Sequence, residues 1–202
     1  MIVPDRSVKS IILPARSVLV TELPPRTNEP KEPFSTIISE HAAEISSWTD
    51  RRTITYSTTT NVPYKFELIL RGTKDGFSPQ TFWNICHGHK GTVVIIKIKG
   101  TYEVIGGYNP LTWDNTYINN NFEKVIDSFI FSLKNGNIQH SILSRVKDSM
   151  NSICNVYKHG QKEVGPHFGD FYLHNTNSSF CQIRTSNYFS IVNYEVFKVI
   201  KQ

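Results

Sequence analysis

The stretch Tyr64–Tyr108, YKFELILRGTKDGFSPQTFWNICHGHKGTVVIIKIKGTYEVIGGY, decides the fold of this chain. It begins with an alternating segment, Tyr64–Arg71, which is typical of a strand with one buried face. The alternation predicts that Phe66, Leu68 and Leu70 share the inward face. The opposite face then presents Glu67, Ile69 and Arg71.

A turn and a short helix follow the first strand. The Asp75-Gly76 dipeptide is a frequent turn sequence, so Gly72–Gly76 is predicted to reverse the chain. Ser78 and Pro79 then open a helix, since serine is a preferred N-cap and proline is tolerated at the first helical position. Four apolar residues of this helix recur at helical spacing and are expected to pack on a sheet. They are Pro79, Phe82, Trp83 and Cys86.

The most apolar part of the stretch is Thr92–Lys99. Its β-branched residues are apolar on both faces, which favours a central strand of a sheet. A glycine turn leads into Tyr102–Tyr108, the predicted hairpin partner. Gly106 and Gly107 lie inside that partner strand, where two glycines predict either a β-bulge or a close approach of another part of the chain.

The rest of the chain predicts one domain behind a linker. Residues 1–34 contain several prolines and are interpreted as a proline-rich linker or N-terminal tail. Residues 35–51 form the first helix candidate, with Ser47 on its outer face. Residues 35–202 are predicted to be an α+β domain of two packed, mainly antiparallel β-sheets, a sandwich flanked by a few short helices. Further strands are predicted at Ser128–Leu133, around Phe171, at Phe180–Arg184 and at Tyr194–Ile200.

The composition argues against several classes of function. The chain has 202 residues and a formal net charge of +5, but its basic residues are scattered, so nucleic-acid binding is not expected. Its three cysteines are too few and too widely spaced for a disulfide framework, which favours a reducing, cytoplasmic location. No apolar run approaches the roughly 20 residues that cross a bilayer, so membrane insertion is not expected. The sequence has no nucleotide-binding glycine loop, and no cofactor is expected.

Few residues offer catalytic chemistry. Cys86 lies on the apolar face of its helix, where burial makes a thiol inert, although a cysteine nucleophile or a redox-sensitive thiol stays an alternative. The sequence Cys86–His89 is too short for its three ligating side chains to reach one metal ion. Glu195 lies two residues before Phe197, so the two side chains should lie on the same face of the strand. Glu195 is therefore expected to point inward and to need a partner such as Arg71 or backbone N–H groups.

Eight blocks of sequence, in this order, resemble the TLDc domain, a family found in oxidation-resistance proteins and nuclear-receptor-coactivator relatives. Four blocks come from the stretch quoted above: FELILRGTKDGFS, TFWNIC, TVVIIKIK and EVIGGY. The others are TWD, DSFIFSL, GPHFG and YEVFKV, so the resemblance covers roughly residues 36–201. The sequence departs from the family pattern at Val156–Gly169, where the loop VYKHGQKEVGPHFG is longer than usual.

The resemblance implies a two-sheet sandwich with no established enzymatic activity. It also implies a role in resistance to oxidative stress and binding to the vacuolar proton-pumping ATPase. The loops Gly72–Gly76, His87–Lys90 and Asn109–Asp114 are then expected to form the contact surface. Residues that match the family's motifs and are candidates for function are Arg71, Asp75, Gly76, Cys86, Gly106, Gly107, Tyr108, Trp113, Gly169 and Glu195.

Two alternative functions are considered. The N-terminal residues resemble the linker that precedes this domain in BTB-containing, kelch-like proteins, which would make the chain a substrate-adaptor fragment of a BTB-type ubiquitin ligase component. That function would need a BTB domain, which this sequence does not contain. The other alternative is an enzyme that uses Cys86 or Glu195, and it predicts a concave pocket that brings one of them beside a base.

Overall fold

The computed structural model describes residues 39–57, 62–133, 140–147, 152–169, 171–174, 180–183 and 187–202. The predicted linker, residues 1–34, lies outside these ranges. The helices are α1 (Ser39–Thr49), α2 (Gly72–Asp75) and α3 (Pro79–Cys86), with one 3₁₀ turn at Gly160–Lys162. None of the helices in the described ranges has the length and apolar character needed to cross a membrane.

Strands outnumber helices in the described domain, and all their described pairings are antiparallel. The strands are β1 (Tyr64–Arg71), β2 (Lys90–Ile98), β3 (Val104–Thr112), β4 (Asn121–Glu123), β5 (Phe129–Leu133), β6 (Ile142–Arg145), β7 (Ile153–Asn155), β8 (Val164–Phe168), β9 (Phe171–His174), β10 (Phe180–Ile183) and β11 (Asn187–Lys201). The main sheet has the order β6-β5-β3-β2-β11-β10-β9-β8, β1 also pairs with β11, and β4 and β7 form a separate ribbon.

The last strand, β11, links the two halves of the fold. It is 15 residues long, and its beginning pairs with β10, where Ser190 lies opposite Phe180. Its middle pairs with β2, and its end pairs with β1, where Lys201 lies opposite Tyr64. Because β11 continues through both parts of the sheet, β8 and β9 can fold back over the strands around β2.

Two apolar cores lie on opposite faces of β2. On one face, Val94 and Ile96 pack with α3 and with Phe168 of β8 and Leu173 of β9. On the other face, Val93 packs with α1 and with the phenylalanines of β5. The predicted α+β sandwich, the central position of β2 and the buried face of α3 are therefore confirmed.

The prediction for the faces of β1 is wrong because the strand contains a β-bulge. Leu68 lies opposite Phe197 and Leu70 opposite Val196, so Ile69 is the extra residue. An extra residue reverses the side-chain parity of the strand. Phe66, before the bulge, therefore packs in the core beside α1, and Leu70, after it, packs in the core beside α3. Leu68 shares the face of Phe66 but is 41% exposed.

Two smaller predictions also change. Gly72–Gly76 forms the one-turn helix α2 rather than a simple turn. Ser47, predicted on the outer face of α1, is buried, and its hydroxyl donates to the carbonyl of Ala43 at 2.7 Å. Because the hydroxyl makes this hydrogen bond, the Ser47 side chain is buried without leaving an unsatisfied polar group.

The paired glycines of β3 mark a close approach rather than a bulge. The ladder is regular there, with Gly106 opposite Ile95 and Gly107 opposite Val94. A Cβ atom on Gly106 would overlap the carbonyl oxygen of Val94. A Cβ atom on Gly107 would lie 2.8 Å from the ring of Phe168, which belongs to β8. The absence of a side chain at Gly107 therefore lets β8 pack on β3, whereas Gly106 leaves room for the neighbouring strands of its own sheet.

We expect Gly107→Val to lower the free energy of unfolding by about 2 kcal/mol, because the new side chain must displace the Phe168 ring. For a domain of this size the midpoint of thermal unfolding falls by roughly 4–8 °C. The control is Thr112→Val, at an exposed position of the same strand. Thermal unfolding followed by circular dichroism measures both variants, and a Gly107→Val midpoint equal to that of the control would contradict the close approach.

Asp50 holds the end of α1 against the sheet. Its carboxylate accepts hydrogen bonds from the hydroxyls of Tyr64 at 2.6 Å and Tyr56 at 2.7 Å, and from Lys201 Nζ at 3.3 Å. Partial burial by itself raises the pKa of Asp50, but the hydrogen bonds from Tyr64, Tyr56 and Lys201 outweigh it and lower the pKa. The folded state therefore favours the ionised carboxylate.

Because the pKa of Asp50 is lowered, the stabilisation of the folded state by this carboxylate depends on pH in the acid range. Its contribution is fully present above the unfolded-state pKa of about 3.9 and is lost as the pH falls through the lower folded-state pKa. We expect Asp50→Asn to cost about 1 kcal/mol at pH 6 and progressively less toward pH 3. Urea unfolding across this range measures the difference from wild type, with Asp127→Asn, a partner in an exposed ion pair, as the control. A difference that stays constant with pH would contradict this role of Asp50.

Candidate functional site

Arg71 and Glu195 form an ion pair at the end of β1. The two residues lie opposite each other in the β1–β11 ladder, and Arg71 Nε donates to Glu195 Oε1 at 2.8 Å. The Glu195 side chain is 0% exposed and the Arg71 side chain 26% exposed. The predictions that Glu195 points inward and that Arg71 is its partner are confirmed.

The same ion pair anchors the loop that follows β1. The Arg71 amide donates to Asp75 Oδ2 at 2.8 Å, and the Thr73 amide donates to Asn193 Oδ1 at 3.2 Å. Gly76 closes α2 with a φ of 106°, a value that L-residues with side chains rarely adopt. Asp75 and Gly76 therefore close the one-turn helix α2, and this segment is tied to β1 and β11 while its tip stays exposed.

Cys86 is sealed in the core beneath α3. It is fully buried, and burial raises the pKa of its thiol far above the ordinary value. Burial likewise raises the pKa of Cys154 to about 12. Only the thiolate is strongly nucleophilic, so neither position favours cysteine chemistry.

The structure does not bring Cys86 and Glu195 together. Cys86 packs with Tyr194 and Val196 on one face of the sheet, whereas Glu195 lies between these residues and so faces the other side. Within the described residues, no three His, Cys, Asp or Glu side chains are placed to hold a metal ion. The enzyme alternative based on Cys86 or Glu195 therefore gains no support from their geometry.

Trp113, Tyr108 and Gly169 hold structural positions. Trp113 is buried, and its Nε1 donates to Thr92 Oγ1 at 2.7 Å. The Tyr108 ring stacks on Phe129 with centroids 5.2 Å apart, and burial raises the pKa of Tyr108. Gly169 has a φ of 56° between β8 and β9, where a left-handed conformation favours glycine.

Two of the three loops predicted as a contact surface are joined. The Gly88 amide donates to the Trp113 carbonyl at 2.8 Å, and the Trp113 amide donates to the His89 carbonyl at 3.1 Å. We call His87–Lys90 together with Asn109–Asp114 the loop surface. The third loop, Gly72–Gly76, lies at the other end of the eight-residue α3, roughly 12 Å of helix away.

Side-chain bonds extend the loop surface beyond Asp114. The Asn115 amide donates to His87 Nδ1 at 3.2 Å. The Asp114 carboxylate accepts from the Thr116 hydroxyl at 2.7 Å and from the Thr116 amide at 2.8 Å. The hydrogen bond from the Thr116 hydroxyl is the main reason that the pKa of Asp114 is lowered. These bonds hold the loop in one conformation at the surface.

A cavity next to the loop surface was not predicted from the sequence. Its volume is about 450 Å³, and it lies between α3, the segment after Asp114 and the 3₁₀ turn. The sequence signal nearest to it was the segment Val156–Gly169, predicted to be a longer loop than the family pattern has, which carries two lysines four residues apart. In the structure this segment contains the 3₁₀ turn and β8. The cavity is lined by Gln80 and Asn84 of α3, Asn115 and Thr116, and Lys158 and Lys162.

We expect Arg71→Leu to lower the free energy of unfolding by about 2 kcal/mol, because the buried Glu195 carboxylate loses its guanidinium partner. The double variant Arg71→Leu/Glu195→Leu should recover at least half of that loss, since it removes the buried charge as well. Urea unfolding measures the free energy of unfolding of wild type, of each single variant and of the double variant. Lys65→Leu, which breaks the exposed ion pair with Glu67, is the control and should cost less than about 0.5 kcal/mol. A loss of stability in the double variant equal to the sum of the losses in the two single variants would contradict the pairing.

The family model described as the TLDc domain matches residues 35–200. The match leaves out only the first 34 and the last two of the 202 residues, and it includes every helix and nearly all of β11. A search of curated proteins finds no significant match. The resemblance inferred from the sequence blocks is confirmed, and the chain belongs to the TLDc domain family.

Proposed function

We propose that this TLDc domain is a non-enzymatic interaction domain of the cytoplasm, which contributes to resistance to oxidative stress by binding the vacuolar proton-pumping ATPase. Family membership supports an interaction role, because the resemblance to TLDc domains carries that expectation. The burial of Cys86 supports a mechanism that does not use its thiol directly on an oxidant. The partner follows from the resemblance alone and is the part that needs an experiment.

The loop surface is the observation that carries the proposal. His87, Lys90 and Thr112 are exposed there, above the buried ring of Trp113. Main-chain hydrogen bonds join the two loops, so little conformational freedom is lost when a partner binds. A rigid loop pair supported by an aromatic core suits recognition of a protein surface better than it suits turnover of a small substrate.

The adaptor alternative needs a BTB domain, and none of the contacts described in the structure favours it. The enzyme alternative depends on Cys86 or Glu195, whose positions in the structure give it no support. The interaction role is therefore the function carried forward.

The test is a pull-down of the purified 202-residue chain with the assembled vacuolar proton pump and with its free subunits. We expect wild type to be retained and His87→Ala/Lys90→Glu to lose about tenfold in retention, since both side chains project from the loop surface. The control is Lys99→Glu, an exposed position at the other end of β2, which should stay within about twofold of wild type. If wild type binds neither the assembled pump nor its free subunits, the proposal that the pump is its partner is wrong.

The same variants address the oxidative-stress part of the proposal. In a peroxide-survival assay, His87→Ala/Lys90→Glu should lose protection together with pump binding. Cys86→Ala should keep both, provided that circular dichroism shows it folded, because the buried thiol is not the acting group. Loss of protection in a folded Cys86→Ala variant that still binds the pump would show that the thiol acts directly.

A further inference from the structure

The cavity beside the 3₁₀ turn has a fixed floor. Gln161 is almost fully buried, and its Nε2 donates to the Asn115 carbonyl at 3.0 Å and to the Val156 carbonyl at 2.8 Å. On the opposite wall, Gln80 Nε2 donates to Asn84 Oδ1 at 3.0 Å. The volume of about 450 Å³ is within the range of ordinary ligand pockets. The cavity is therefore formed before any partner arrives.

The charge of the cavity is positive. Lys158, His159 and Lys162 line it, and none of the described lining residues is acidic. In the described part of the chain, neither lysine takes part in an ion pair. Lys158 lies in the turn before the 3₁₀ helix and Lys162 is the last residue of that helix, and both line the same cavity. Two unpaired cations beside neutral amide groups favour a ligand that carries carboxylates.

Two exposed apolar residues, Ile118 and Tyr157, lie close in sequence to the residues that line the cavity, and we call them its rim. Ile118 is 87% exposed and Tyr157 is 38% exposed. Their segments are bonded to each other, since the Lys158 amide donates to the Tyr117 carbonyl at 3.0 Å and the Tyr157 amide donates to Asn120 Oδ1 at 3.1 Å. An isoleucine this exposed next to a basic cavity favours a ligand with an apolar side chain as well as acidic ones.

We propose that this cavity and its rim, defined by Lys158, Lys162, Ile118 and Tyr157, are the docking site for an acidic protein segment that carries an apolar anchor residue. The site adjoins the loop surface through Asn115, whose amide bonds to His87. The inference rests on the proposed interaction function and adds to it the chemistry of the segment that a partner presents. Both lysines come from the segment that joins β7 to β8.

The test uses designed peptides labelled with fluorescein and fluorescence anisotropy at low salt, where charge attraction is least screened. The peptide EELEELEE combines acidic and apolar residues, and QQLQQLQQ keeps the leucines without the charges. We expect EELEELEE to bind wild type at least tenfold more tightly than QQLQQLQQ does, and Lys158→Glu/Lys162→Glu to weaken it at least tenfold. Ile118→Ser should weaken binding several-fold, because the apolar anchor loses its contact.

The control for charge is Lys74→Glu/Lys99→Glu, which changes the net charge equally at two exposed positions away from the cavity. Its affinity for EELEELEE should stay within about twofold of wild type. If the control loses as much affinity as Lys158→Glu/Lys162→Glu, the attraction is unspecific and the proposed site is wrong. Equal binding of both peptides, or no binding by wild type, would also overturn it. Displacement of EELEELEE by inorganic phosphate at equal concentration would show a simple anion site instead of a docking site.

The pump pull-down separates the two proposals. If Lys158→Glu/Lys162→Glu binds the pump like wild type, the interaction function stands and the docking site is wrong. If wild type binds EELEELEE at the cavity but ignores the pump, the docking site stands and the pump is not its partner.

Discussion

Strand β11 is the constraint on which the rest of the structure depends. Its 15 residues pair with β10, β2 and β1 in turn, so one segment belongs to both halves of the sandwich. Side chains alternate along a strand, and a shift of one residue would exchange the two faces of β11. The register places Tyr194 and Val196 in the core beside α3 and Glu195 opposite Arg71. One pairing therefore fixes both cores and the buried ion pair.

The buried ion pair connects the core to the surface. A carboxylate without water is costly unless it is paired, so Glu195 holds Arg71 in one position. Arg71 in turn supports the Gly72–Gly76 loop through its amide bond to Asp75. At the other end of α3, Trp113 has the same role, with its ring in the core and its backbone in the loop surface. The interior of this domain thus determines how the loops at the two ends of α3 are held.

The parts of the fold that depend on local periodicity could be predicted from the sequence. The bounds of β1 and the buried face of α3 follow from spacing within a few residues, and the inward position of Glu195 follows from the parity of its neighbours. The bulge at Ile69 could not be predicted, because it is decided by the pairing with β11, more than 120 residues later. The three-residue strands β4 and β7 are too short to show a pattern.

In the candidate site, too, local sequence patterns predict some features, and contacts between distant segments decide the others. Residues with strong local signals, such as Cys86 and Asp75, turned out to be explained by packing and by turn geometry. The cavity was missed because its walls come from three segments that are distant in sequence, α3, the loop after Trp113 and the 3₁₀ turn. Only the segment Val156–Gly169, with its departure from the family pattern and its two lysines, pointed there, and neither feature indicates a cavity without the fold.

Native-state hydrogen exchange of the purified chain tests most directly the claim that β11 holds the domain together. The amides of Ile191–Lys198 should exchange only through global unfolding, with the same free energy as the amides of β2. That free energy should equal the value from urea unfolding. Fast exchange in β11 while β2 and β8 stay protected would contradict the claim, because the two halves would then be stable without the strand they share.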